Sequence, residues 1–95
     1  AQKLNRLFDS DLKKINTLGR ARFTCEVIFE YLKKLPQVTV PGLVKALDIS
    51  APTARSMLNH LIDLNIAVEI SGKKRDKTYV YKKYLAILEQ GAEPF

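Results

Sequence analysis

The stretch LDISAPTARSMLNHLIDLN, residues 47–65, constrains the fold more than any other. One amphipathic segment ends at Leu47 and another begins at Ala51, so the chain must reverse within three residues. Asp48 tolerates the left-handed backbone that a turn this sharp needs. Ile49 is suited to plug the gap between two helices, and Ser50 is a strong N-cap. Pro52 has no N–H, so the amide of Thr53 is the expected partner of the Ser50 hydroxyl. Ala54, Met57, Leu58, Leu61 and Leu64 recur at spacings of three and four, which predicts a helix over 51–64 with these side chains inward. Pro52, Thr53, Arg55, Ser56, Asn59, His60 and Asp63 fall on or near the outside. Asn65 suits the left-handed position that ends a helix.

The flanking segments extend the pattern. Residues 38–40 favour a short strand, and Pro41 suits the first turn of a helix, where its missing N–H leaves no bond unmade. Leu43, Val44 and Leu47 then predict a helix of about two turns. After Asn65, IAVEI and TYVY are alternating runs on either side of SGKKRDK, whose Gly72 marks a turn, so a hairpin is expected. Tyr79 and Tyr81 share a face of it and are expected to pack rather than to stack on bases. KKYLAILEQG predicts a short terminal helix with Leu85 and Leu88 on one face.

At the other end, Leu4, Leu7, Phe8, Leu12, Ile15 and Leu18 form one helical stripe. Gly19 is the candidate joint, and a second helix is expected over 20–35, stopping before Pro36. That helix has two apolar faces. Ala21, Cys25, Ile28, Leu32 and Leu35 make one, and Phe23, Val27 and Tyr31 make the other. The second is a candidate dimer or domain interface, to be covered by the first helix, a neighbouring domain or a second copy of the chain.

The expected fold is therefore mostly α with a small β-hairpin: a winged helix-turn-helix with an extra N-terminal helix and a short C-terminal helix. Residues 1–18 are expected to form the N-terminal helix, as a linker or the remnant of an upstream domain, and 19–95 the winged domain. A chain of 95 residues has room for one small core. No apolar run approaches the roughly 20 residues of a membrane span, and no signal peptide is visible in AQKLNRLFDS. The opening on Ala1 rather than Met is expected of a piece cut from a longer protein, or of residues left by a tag. Cys25, alone in FTCEVIF, cannot form an internal disulfide and reads as a buried thiol, which suggests a reducing, cytoplasmic setting.

Sixteen Lys and Arg against ten Asp and Glu give a net charge of +6, which favours polyanionic partners. The excess is uneven. Lys73, Lys74, Arg75, Lys77, Lys82 and Lys83 face only Glu69 and Asp76 within 67–84, whereas 37–66 is neutral. Duplex DNA fits this arrangement. The helix over 51–64 would enter the major groove, which is about 12 Å wide. Thr53, Arg55, Ser56 and Asn59 are the candidate base contacts there, and Arg55 is the residue type that most often reads guanine. Ser50, Lys73, Lys74, Arg75 and Lys77 are candidate backbone contacts, the last four through the wing over 71–78. His60, the one histidine, has no partner for catalysis or metal binding and is expected at the helix surface or edge. Paired carboxylates, a nucleophile with its base, a metal-ligand cluster and a phosphate loop are all missing from the sequence, so no enzyme, cofactor or metal is expected.

The entry LGR, the run VTVPGLVKALDISAPTA, the wing and exit GKKRDKTYVYKKYL and the closing ILEQGAEPF also resemble a known family. They look like the winged-helix domain that follows the catalytic core in many bacterial Fic (filamentation induced by cAMP) proteins, and the likeness covers residues 18–95. Asp48 and Asn65 stand where the related turns often carry Gly, and both tolerate the same backbone. Fic cores transfer AMP from ATP to protein hydroxyls with a His-Pro-Phe motif and a Gly-Asn-Gly-Arg loop. Neither motif is present here. The resemblance implies a C-terminal module without the enzyme. It would serve in transcription control as a DNA-binding homodimer, or as a protein-interaction or dimerisation module regulating an adjacent Fic adenylylation domain upstream.

Overall fold

The computed structural model describes residues 2–72 and 77–90. Among them lie five helices and three strands: α1 (Gln2–Ile15), α2 (Arg22–Lys34), β1 (Gln37–Thr39), α3 (Val40–Leu47), α4 (Ala51–Asp63), β2 (Val68–Glu69), β3 (Thr78–Val80) and α5 (Lys82–Glu89). The domain is mostly helical, with a small antiparallel sheet in the order β1-β3-β2. No helix is long and apolar enough to cross a membrane among the described residues.

The expected hairpin is present as β2 and β3, with Val68 opposite Val80 and Glu69 opposite Tyr79. It is shorter than IAVEI and TYVY suggested. Ile66 and Ala67 are buried in the turn after α4, where both amides bond the Leu61 carbonyl. A third strand widens the sheet. Val38 faces Tyr79 across β1 and β3, and the Tyr81 amide donates to the Pro36 carbonyl at 2.8 Å. Tyr79 and Tyr81 are both buried.

Local signals set the α3–α4 junction. Thr39 caps α3, its hydroxyl accepting from the Gly42 amide at 3.1 Å, with Pro41 in the first turn. Asp48 ends α3 in the left-handed region at φ 54°, and Asn65 follows α4 at φ 60°. The Ser50 hydroxyl accepts from the Thr53 amide at 3.2 Å. Removing this cap (Ser50→Ala) is expected to destabilise the domain by about 1 kcal/mol, readable as a lower denaturation midpoint with an unchanged m-value.

Ala54, Met57, Leu58 and Leu61 point from α4 into the core, where they meet Cys25, Ile28, Phe29 and Leu32 of α2 and Leu43 of α3. Two apolar residues depart from the expected pattern. Leu35, expected on the inner face of α2, is 53% exposed. It is the C-cap, with extended backbone at φ −132° and ψ 95°, because Pro36 disfavours the helical region for the residue before it. Phe29, which the two faces leave out, is fully buried beside Cys25, Ile28 and Leu32. On α5, Leu88 is exposed and Tyr84 packs on the core instead.

α1, set apart as 1–18 by sequence, shares this core. Ile15 is fully buried, and Phe8 packs in a cluster with Phe29, Tyr81 and Tyr84 at ring separations of 6.4, 6.1 and 5.3 Å. Beside the cluster, Asp11 is only 1% exposed. Its carboxylate accepts from the Tyr81 hydroxyl at 2.6 Å and lies 3.4 Å from the Lys14 ammonium. A buried carboxylate needs such partners, since an unpaired one would be strongly destabilising. Burial, then the bond to Asp11 and its charge, push the Tyr81 phenol well above its ordinary range.

Candidate nucleic-acid interface

The outer face of α4 carries Arg55, Ser56 and Asn59, all exposed, with Thr53 half-buried at its start. The opposite face is locked into the core, which fixes the direction of the outer side chains. Helical spacing brings Arg55, Ser56 and Asn59 to one surface, about one turn long. His60 is half-buried on the flank, and Asp63 is exposed at the far end.

Ser50 and Thr53 are less free than their positions suggest. Besides capping the helix, the Ser50 hydroxyl donates to Thr53 Oγ1 at 2.9 Å. A hydroxyl has one proton to donate, so that of Ser50 is committed within the cap. The Thr53 hydroxyl keeps its proton for an outside acceptor. Capping explained Ser50 in the sequence, but the link between the two hydroxyls carries no sequence signal.

The β2–β3 hairpin begins its connection at an ordered turn. The Glu69 carboxylate accepts from the Ser71 hydroxyl at 2.8 Å and from the Gly72 amide at 2.7 Å. The Ser71 oxygen in turn accepts from the Thr78 amide at 3.3 Å, and the Ile70 amide closes the turn onto the Thr78 carbonyl at 2.9 Å. Gly72 takes φ +66°, a conformation glycine adopts without steric penalty. The bonds from Ser71 and Gly72, with the nearby charge of Lys77, hold the Glu69 carboxyl below its ordinary range. By sequence Glu69 is only a negative charge, and here it organises the base of the hairpin. Lys77 is exposed where β3 begins. Lys73, Lys74 and Arg75 lie outside the described residues.

The third group of candidates is on α2. Phe23 is 65% exposed and Val27 48% exposed. Tyr31 is half-buried and lines a cavity of about 180 Å³ with Gln37, Val38, Thr39, Gly42 and Thr78. The Arg22 guanidinium stacks on the Phe23 ring, 4.6 Å from its centre. Cys25, two residues from Phe23, is fully buried, and burial pushes its thiol up to about 11. It is therefore a protonated core residue at neutral pH.

Comparison of the chain with known protein families, characterised proteins and solved structures gave no match.

Proposed function

We propose that the domain is a winged helix-turn-helix module that binds duplex DNA, with α4 in the major groove and the basic wing over 71–78 on the phosphate backbone. The observation that carries this reading is the α3–α4 unit: two helices joined through Asp48, Ile49 and Ser50, with the second presenting Arg55, Ser56 and Asn59 outward. The sheet order, with the charged hairpin at its edge, supports the winged form. α4 itself is nearly neutral, so affinity comes mainly from the cations of the wing and specificity from the α4 side chains. The resemblance to the C-terminal domains of Fic proteins favours a role in bacterial transcription control, in the cytoplasm and without catalysis by this segment.

Fluorescence anisotropy on a duplex pool tests this. Binding is expected to weaken steeply with salt, with a log–log slope of about −3 to −5 for four or five phosphates neutralised. A domain that ignores duplex DNA even at low ionic strength would overturn the proposal.

The exposed Phe23 and Val27 favour a second reading, a protein-interaction module that docks on an adjacent Fic adenylylation domain. It predicts no affinity for duplex DNA, with the wing cations serving only solubility.

A further inference from the structure

Among the described residues, one hydrogen bond joins α1 to the rest of the domain, from the Tyr81 hydroxyl to the Asp11 carboxylate. The other side chains that α1 packs on the core, Leu7, Phe8, Leu12 and Ile15, are apolar. We infer that the Asp11–Tyr81 bond is a register key, which excludes the seatings of α1 that lie one helical turn to either side of the one observed. This inference does not depend on DNA binding.

The apolar stripe does not define a register by itself. It consists of two ridges, Leu4–Phe8–Leu12 and Leu7–Asp11–Ile15, each with a side chain every fourth residue. Moved by four residues, about 6 Å along its axis, α1 lays each ridge on its own track. In one direction Leu4 takes the place of Phe8, Leu7 that of Asp11 and Phe8 that of Leu12. In the other, Leu12 takes the place of Phe8 and Ile15 that of Asp11. Hydrophobic contact is non-directional, so exchanges among these apolar side chains discriminate weakly between the seatings.

The polar pair discriminates strongly. After either move an aliphatic side chain faces the Tyr81 hydroxyl, which is fully buried and would lose its acceptor. Asp11 would arrive in the place of Leu7 or of the fully buried Ile15, away from the phenol. Buried polar groups left without partners are strongly destabilising. The Lys14 ammonium belongs to the same helix as Asp11 and travels with it, so only Tyr81 marks the position. Phe8 is the weaker discriminator. Its ring is half-buried, and a leucine in its place loses contact with Lys33 and Phe29 but strands no polar group. The connection permits the move, because the backbone bonds of residues 16–21 run only to their neighbours, and a side chain at Gly19 would meet nothing within 4 Å.

Spin-label distances read the seating directly. Nitroxides are placed at Ser10→Cys on α1 and, in turn, at Lys45→Cys on α3 and Glu89→Cys on α5, all exposed positions. Cys25 is fully buried and stays unlabelled. Phe8→Leu is made first, so that the ring no longer contributes to register. With the key intact, the parent and Phe8→Leu should each give a single distance for each label pair. Adding Asp11→Leu and Tyr81→Phe to Phe8→Leu removes the key and leaves every seating apolar. In about a tenth or more of these molecules a second distance should appear, displaced by up to about 6 Å. The denaturation midpoint of this variant should equal or exceed that of Phe8→Leu, since apolar replacement of a buried polar pair is commonly neutral or stabilising.

A pair that only adds stability predicts the opposite result, a lower midpoint with one seating retained. That outcome, or a variant without the key that does not fold, would overturn the inference. So would a second distance in Phe8→Leu alone, which would make the ring the key. All of these are read on the free domain, so a domain that ignores DNA would leave this inference standing and remove the previous one.

Discussion

Phe29→Ala is expected to remove about 3–5 kcal/mol of stability, a large share of the roughly 5–15 kcal/mol that holds a domain of this size. The ring is fully buried. It meets Phe8 edge-on at 6.4 Å and Tyr81 at 5.7 Å, and the Lys33 ammonium lies 5.0 Å from its centre. Truncation therefore opens a cavity where α1, α2 and the end of β3 meet, and none of the three can close it without losing contacts elsewhere. At roughly 4–8 °C per kcal/mol, the melting temperature should fall by about 12–40 °C. Phe23→Ala is the control. It is the same substitution six positions earlier on the same helix, at a ring 65% exposed, and should change monomer stability by about 0.5 kcal/mol or less. Similar losses for both variants, measured by calorimetry, would mean that the core is not built around Phe29.

The second large effect belongs to the wing. Replacing Lys73, Lys74, Arg75 and Lys77 together with alanine should weaken DNA binding by about three orders of magnitude near 0.1 M salt, because each phosphate contact contributes about 0.9 to the log–log slope. The slope itself should become shallower by about 3 to 4. Arg55→Ala should behave differently. It should cost about 1–3 kcal/mol on a preferred sequence and little on random DNA, with the salt slope nearly unchanged. The two variants thus separate grip from reading. A wing variant that binds within twofold of the parent would move the electrostatic contact elsewhere on the domain.

The parts of the fold that the sequence made legible depend on a few neighbouring residues. The cap at Ser50, the left-handed turns at Asp48 and Asn65 and the inward face of α4 follow from spacing and backbone preference alone. The misread parts depend on contacts far along the chain. Leu35 leaves the inner face because Pro36 pulls the chain out of helical geometry just before it, a one-residue effect that a stripe drawn at fixed spacing cannot resolve, while Phe29, one turn from Cys25, lies on that face at an ordinary helical spacing that the stripe passed over. Likewise, β1 joins the sheet through Tyr79 and Tyr81, more than forty residues away, and neither strand shows its partner in its own composition.

The candidate site divides in the same way. Helical period alone placed Arg55, Ser56 and Asn59 outward. Two features escaped: the bond between the Ser50 and Thr53 hydroxyls, and the part played by Glu69 in ordering the hairpin turn. Both depend on rotamers that are settled only once the surrounding backbone is in place.

The bond between Asp11 and Tyr81 spans 70 positions of the chain, and this has a consequence for synthesis on the ribosome. α1 leaves the exit tunnel before the phenol that anchors it. At about 5–20 residues per second, the helix waits roughly 4–14 seconds for its partner. During that interval the polar side chain of Asp11 stays hydrated, and Lys3, Arg6, Lys13 and Lys14 surround the apolar stripe with charge. A polar residue buried at the end of folding thus helps keep the nascent segment in water at its beginning.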